Sequence, residues 1–538
     1  MMRTDWQNAN RFTTSNRRGL VLIIVMIVVV MISLAGFGFV ASMSGENKAV
    51  HLRGEQLQME SAIASAEEFL KQQFERPKLA ESSSRFGPTQ QSSDDDESQM
   101  RGVVVADEDG PLNRVRFSLI APHYDETGMA PWRYGYERES SRLNLRTVME
   151  WETFQKGQGK RALMALPGMT EQIAEAMLDW MDLDNMPRSS GAEMEYYSTL
   201  NPPYAPRNGI PESMEELLLI KGITRSDLFG HDSNQNHRID LDEQSSLQST
   251  SSRDLGGERQ TPWAELLTLY SAERNETRDG MPRINLNQFD LGQLHRQLTA
   301  EFSPKLAAYA VLYRQYGPAL GTGPAADVGT AVMNLTVPPR FFLRSPLDLM
   351  QTRVAVQGPA GITIYSSPLS VSKEKSDELF DILYDRVTVL NTPKIRGRVN
   401  VNSAPAEVLR AIPGIDKALA EQIATSRTGA SKQDQGHDEH PCWLVVEGLV
   451  NLEKMREIFP YLTIGGDVYR TQIVAFSEAS RLSHRVEVVL DATYRPARRV
   501  FWKDLQVLGR GYPWDVIDTP GGISTSQFGA FDATSNRN

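Results

Sequence analysis

The stretch from Leu20 to Ser44, LVLIIVMIVVVMISLAGFGFVASMS, carries no charged residue. About twenty apolar residues suffice for a helix to cross a bilayer, and in lipid a helix satisfies its own backbone hydrogen bonds. The stretch is therefore expected to span or lie in a membrane. Arg11, Arg17 and Arg18 precede it, and by the positive-inside rule they hold the N-terminus in the cytoplasm. Everything after Gly45 is then expected on the far side, in the periplasm of a two-membrane bacterium. The competing readings are a signal peptide and a generic anchor. A signal peptide fits poorly: its apolar region is usually shorter, and no small-x-small cleavage site stands at a clean polar border.

With 538 residues the chain is too long for one compact core, so two to four domains are expected. A net charge of −11 argues against a nucleic-acid partner, because phosphate binding relies on clustered Lys and Arg. The single cysteine, Cys442, excludes an intrachain disulfide and any Cys-cluster metal site.

After the apolar run, ENKAVHLRGEQLQMESAIASAEEFLKQQFE continues as helix. Leu52, Met59, Ile63, Ala66 and Leu70 form one apolar stripe, and Pro77 ends the helix. Residues 81–100 are Ser- and Asp-rich and are expected to be a disordered loop. VVVAD and VRFSLIA read as strands around a DEDGPLN turn, and YRTQIVAFSE, HRVEVVLDATY and RVFWKDLQVLG as antiparallel strands that complete the same small sheet. The end of the chain is Gly/Ser-rich and expected to be mobile from about Tyr512.

The middle of the chain is mostly helical and repeats itself. An Asn-bearing strand-like lead (LNL at 143–145, VNVN at 399–402) precedes a helix, a Pro-Gly turn and a second helix. RINLNQFDLGQLHRQL at 283–298 is a partial third copy, so internal duplication is expected. The turns at Pro167-Gly168 and Pro413-Gly414 resemble helix-hairpin-helix units, which elsewhere grip DNA phosphates. Thr170 and Asp416 stand where such hairpins carry a second glycine, and a carboxylate repels phosphate. The hairpins are therefore read as packing modules.

Two acidic stretches could hold a cation. Residues 232–243 follow an EF-hand-type loop, with Asp232, Asn234, Asn236, Asp240 and Glu243 at positions 1, 3, 5, 9 and 12 and a backbone carbonyl expected from Arg238. The departure is His237 where glycine usually makes the sharp turn. The plainer reading is a polar surface loop. The second stretch holds Asp179, Asp182 and Asp184, then Glu193 and Glu195. Asp179 and Asp182 share a helix face, repel one another if unpaired, and would be stabilised by a cation; helix-end solvation or capping is the alternative. Paired carboxylates also raise glycosidase chemistry, but no nucleophile, sugar-cleft, P-loop, GxSxG, HExxH or dinucleotide-binding pattern accompanies them.

Basic residues, Gly19 and an unbroken apolar helix have the layout of a type IV prepilin. LDWMDLDNMPRSSGAEMEYYSTLNPPYAPRNG, EELLLIKGIT and NVNSAPAEVLRAIPGI resemble the signature of the K-type minor pseudopilins of type II (general) secretion. The resemblance implies an α+β, pilin-like fold: a long N-terminal helix packed on a small antiparallel sheet, with a large, mostly helical insertion of SAM-like or helix-hairpin-helix repeats. It implies a leader at 1–19, a helix at 20–76 (transmembrane 20–41), sheet segments at 101–141 and 461–510, helical units at 142–320 and 397–460, a connecting region at 321–396 and a flexible tail at 511–538. It implies peptidase cleavage between Gly19 and Leu20 and N-methylation of Leu20. Ile24 stands at the fifth mature position, where ordinary pilins have Glu and K-type subunits characteristically lack it. The implied role is non-catalytic. The protein would be a single-pass inner-membrane subunit, mostly periplasmic, that caps a pseudopilus with I-type and J-type minor pseudopilins. Its further partners would be the prepilin peptidase and the inner-membrane assembly platform, with no nucleic acid and with Ca2+ near the 179–195 cluster. The competing hypotheses are a membrane-tethered DNA-binding protein of a competence-like system and an anchored hydrolase using the Asp179 to Glu195 carboxylates.

Overall fold

The computed structural model describes residues 18–75, 100–106, 114–122, 132–240, 243, 261–319, 324–358, 361–370, 376–427 and 439–518. The leader up to residue 17, the acidic loop at 81–99 and the end of the chain from 519 lie outside them. The chain divides into two units, Met1–Ser61 and Ala62–Asn538.

In the first unit the backbone is helical from Arg18 onward, in a helix, α1, whose bounds are Arg18–Glu75. The side chains of Val21 to Val40 are exposed along the whole apolar run. Among the described residues α1 is the one helix long and apolar enough to cross a membrane. Leu52, at the start of the apolar stripe, is exposed.

In the second unit the last turns of α1 bury Ala62, Ile63, Ala66, Leu70 and Phe74, spaced three and four apart on one helix face. That face packs on an antiparallel sheet ordered Val103–Ala106, Val115–Pro122, Val468–Ser477, Ser483–Asp491 and Arg498–Asp504. Phe74 stacks on Tyr469 with ring centroids 4.0 Å apart, and Phe69 meets Phe117 at 6.1 Å. The central register sets Leu119 opposite Ile473 and Phe117 opposite Ala475. The sheet thus joins strands from both sides of the helical stretch. Two short strands missed in the sequence join it, Trp132–Tyr134 on Val115–Pro122 and Glu137–Arg138 on Val468–Ser477.

Every residue of Val468–Ser477 is buried, so both faces of the sheet are covered. Side chains alternate along a strand, and those one step out of phase with the α1-facing set (Ile120, Val474, Phe476) form a small cluster with Tyr512 and Ile517. The tail expected to be mobile from 511 is therefore tied down as far as 518. Trp514–Ile517 is a helical turn, Ile517 is fully buried, and Arg101 Nε donates to Asp518 O at 2.8 Å.

The helical body is built from three copies of one unit, each closed by a two-residue parallel pairing. Leu143–Asn144 pairs with Leu267–Thr268, Ile284–Asn285 with Val387–Thr388, and Val399–Asn400 with Leu462–Thr463. In each copy the Asn Oδ1 accepts the N–H two residues on, from Arg146, Asn287 and Asn402, at 2.9 Å. In each copy the Thr Oγ1 does the same for Tyr270, Leu390 and Gly465, at 3.1–3.2 Å. These side chains satisfy backbone donors where the strand turns away, as Asn and Thr do in local turns. After the Asn strand the chain enters helices: Leu145–Phe154, Gln158–Leu163 and Glu171–Met181 in the first copy, Leu291–Glu301 and Pro304–Tyr316 in the second, Ala406–Ala411 and Lys417–Ser426 in the third. A further helix leads into each Thr strand: Trp263–Leu266, Ser376–Arg386 and Leu452–Ile458. The partial copy at 283–298 is thus the opening of a whole unit. Ser376–Arg386 and Val387–Thr388, within the stretch 321–396 expected as a connecting region, supply its second half. One buried cluster runs through all three copies, from Leu143 to Leu462.

Candidate metal centre

The helix Glu171–Met181 is capped by Thr170, whose hydroxyl accepts from Ile173 N, and is followed by a loop that folds back along it. Two backbone donors of the loop fix Asp179: Arg188 N at 3.2 Å and Ala192 N at 2.9 Å, both to Oδ2. Gly191 makes this approach possible, because a Cβ there would lie 1.8 Å from Asp179 Oδ2. Glu175, one turn earlier, accepts from Ser190 N at 2.6 Å and from Lys160 Nζ at 2.6 Å.

The folded-back loop brings Glu193 onto Asp179 and Asp182. One carboxylate oxygen from each of the three lies within 4.8 Å of the others, and among the described residues this is the acidic group that closes so tightly. Asp179 and Asp182 are paired: Arg188 Nη1 lies 2.6 Å from Asp179 Oδ1 and 2.6 Å from Asp182 Oδ2. Glu193 is different. It is 2% exposed, and neither of its carboxylate oxygens has a hydrogen-bond partner. Burial, then the charges of Asp179, Asp182 and Asp184, push its carboxyl up to about 7. Burial also raises Asp179 and Asp182 above the usual carboxylate range, against the opposing pull of Arg188. Three carboxylates share one guanidinium, and an orphaned buried carboxylate is costly. A divalent cation fits this set, since hard oxygens are what Ca2+ takes. Asp184 and Glu195, expected in the same cluster, are exposed and stand outside it; Asp184 Oδ1 accepts from Met186 N at 2.8 Å. Arg188 was missed in the sequence, where only its place in PRSSG, nine residues after Asp179, hinted at a partner.

The 232–243 loop has the hydrogen bonds of an EF-hand turn. Asp232 accepts from Asn236 N at 3.1 Å and His237 N at 2.7 Å, and Glu243 from Ser233 N at 2.8 Å and Asp240 N at 2.9 Å. His237 does make the turn with positive φ, at 65°. The described carboxylates already accept from their own loop. Asp240 Oδ2 accepts the side-chain amides of Asn234 and Asn236 at 2.9 Å each, and Asp232, Asp240 and Glu243 do not close into a three-carboxylate group among the described residues. Arg238 lies over the Trp132 ring at 5.6 Å. The loop packs on the sheet: Gln472 Nε2 and Arg485 Nη1 donate to Gln235 O at 2.8 and 3.2 Å.

The two Pro-Gly hairpins turn toward each other. Arg161 Nη2 reaches Ile412 O at 3.4 Å, and Arg410 Nη2 donates to Ala165 O. Thr170 and Asp416 cap the helices that follow, so the basic groups beside the turns serve protein carbonyls. Gly19 and Leu20 lie in the helical backbone at the start of α1.

Residues 141–228, which include the carboxylate centre, match the family model for type II secretion system protein K, first domain. The type II secretion system protein K of Pectobacterium carotovorum subsp. carotovorum is 41% identical over 59 residues, 11% of this chain and 18% of that protein. One chain of the GspK-GspI-GspJ complex of the enterotoxigenic Escherichia coli type 2 secretion system aligns over 85% of this chain and 98% of its own. Its identity is 10% and its TM-score 0.32. Residues 141–228 thus match the protein K family of the type II secretion system over this one domain.

Proposed function

We propose that this protein is a non-catalytic minor pseudopilin that works at the tip of a type II secretion pseudopilus, helping its assembly and the export of folded proteins across the outer membrane. The observation that carries the reading is the protein K domain at 141–228, in a chain whose first described segment is a long apolar helix. The helix anchors the subunit in the inner membrane with its N-terminus cytoplasmic. A prepilin peptidase cuts between Gly19 and Leu20, Leu20 is N-methylated, and the assembly platform extracts the helix into the growing fibre. Ile24 offers no carboxylate to the terminal amine of a subunit above, which suits a subunit with nothing above it. I-type and J-type minor pseudopilins are the expected partners.

Ca2+ is part of this proposal. The orphaned Glu193 beside Asp179 and Asp182 supports a site there. The 232–243 loop, whose turn is already closed by its own donors, is the second candidate. The ion would supply the positive charge that three carboxylates and one arginine lack, and would hold the 183–193 loop against its helix.

The test is genetic and biochemical. In the source bacterium, deletion of the gene should stop release of type II exoproteins, and the tagged full chain should co-purify with prepilin-like proteins of I and J type. Normal release together with absence of such partners would falsify the reading.

A further inference from the structure

The Arg188 side chain uses the same oxygens that a cation would need. Its Nη1 sits 2.6 Å from both Asp179 Oδ1 and Asp182 Oδ2, so it bridges the two aspartates as a bound ion would. A calcium ion takes oxygens at about 2.3–2.6 Å, and a guanidinium and a divalent cation on the same pair of oxygens repel each other.

The loop has anchors other than this side chain. Asp179 is kept in place by the backbone N–H groups of Arg188 and Ala192. The loop is pinned again where Glu175 accepts from Ser190 N and Ser189 Oγ. The guanidinium is also placed to leave. It is 24% exposed, whereas Asp179 is fully buried, and its Nη2 already lies 4.0 Å from Glu152 Oε1. Glu193, by contrast, faces the same aspartates with both oxygens unpartnered.

We infer that Arg188 is a built-in competitor of the metal centre: its guanidinium holds Asp179 and Asp182 together, and a divalent cation binds only by displacing it toward Glu152 and solvent. The inference rests on the reading that Asp179, Asp182 and Glu193 take a cation. It adds that this chain's own arginine lowers the affinity of the site. The arginine would then hold the two aspartates at low Ca2+ and give way to the ion as Ca2+ rises.

The experiment titrates the detergent-solubilised full chain with Tb3+ and displaces it with Ca2+, following terbium luminescence sensitised by the neighbouring Trp180. Only the signal lost in Glu193→Gln is counted, which separates this centre from the 232–243 loop. Arg188→Gln should bind Ca2+ at least about tenfold more tightly than the unmodified chain, a tenfold change being about 1.4 kcal/mol. Arg188→Lys, which keeps the charge on a shorter side chain without the planar guanidinium, should fall between them. Circular dichroism melting checks that each variant is folded. Binding by the unmodified chain with equal or weaker binding by folded Arg188→Gln overturns the competitor role and leaves the metal centre standing. Binding by Arg188→Gln alone supports the competitor role strongly. No Glu193-dependent signal in either protein overturns both.

Discussion

Asn144 and Asn400, far apart in the chain, do the same work in two copies of one unit. Each accepts the N–H two residues on at 2.9 Å, from Arg146 and Asn402, and each sends its amide across to the chain near its partner strand, to Ser271 O at 3.3 Å and to Ile464 O at 3.0 Å. Both are buried, at 2% and 0% exposure. Removing either amide leaves a buried donor and acceptor unpaired, at about 1–3 kcal/mol for such a group. Asn144→Ala and Asn400→Ala should each lower the unfolding free energy by that order, read as a lower midpoint in urea. A midpoint within error of the unmodified chain would contradict the account of the pairing.

Gly397 turns with φ +65° just before the third copy, and a Cβ there would stand 1.6 Å from Thr147 Oγ1 of the first. Gly397→Ala therefore combines a disfavoured backbone with a clash that the buried Thr147 cannot avoid. Expected is a loss of about 2 kcal/mol or more, read as a lower melting temperature. Gly448, also at positive φ but with nothing within 4 Å, should tolerate alanine better.

Glu193 gives a pH dependence. Its carboxyl titrates at about 7 in the folded chain against 4.5 as the ordinary value. Between these values the folded protein keeps a proton that the unfolded chain releases. Stability from this group is thus fully present at low pH and lost as pH rises through about 7. In chelator, stability should fall between about pH 4.5 and pH 7, by roughly 3 kcal/mol at 1.36 kcal/mol per pKa unit, and the melting temperature with it. Glu193→Gln should flatten that slope; an unchanged slope in this variant would assign the dependence to other groups.

Ca2+ should raise the melting temperature of the full chain at pH 7. Binding to the folded state alone adds about 2.7 kcal/mol at a hundredfold excess over Kd. Glu193→Gln should remove much of that gain, and Asp232→Ala with Glu243→Ala a smaller share, because the 232–243 oxygens are already engaged by their own loop. A flat calcium titration would dismiss both sites.

Gly19→Ala should block processing in cells that contain a prepilin peptidase. The variant should run more slowly than the mature chain on a denaturing gel, by the mass of the leader. Equal mobility would remove the prepilin assignment.

The sequence by itself determined what depends on local pattern. The uncharged run from Leu20 to Ser44 fixes a helix, because a single apolar segment satisfies its own backbone in lipid only as a helix. The two-residue alternation fixes the long strands of the sheet, and the repeated Asn leads mark where each copy starts. Tertiary structure decided what depends on partners distant in sequence. Ile284–Asn285 and Val387–Thr388 are strands of two residues, too short to carry a period, and exist only because they meet. Tyr512 and Ile517 sit in a stretch that reads as Gly-rich tail, and are ordered by the sheet face they cover. At the acidic centre, the residue types pointed to a cation. Only the folded-back loop decided that Asp184 and Glu195 stand aside, that Glu193 is left without a partner, and that Arg188 holds the oxygens a metal would take.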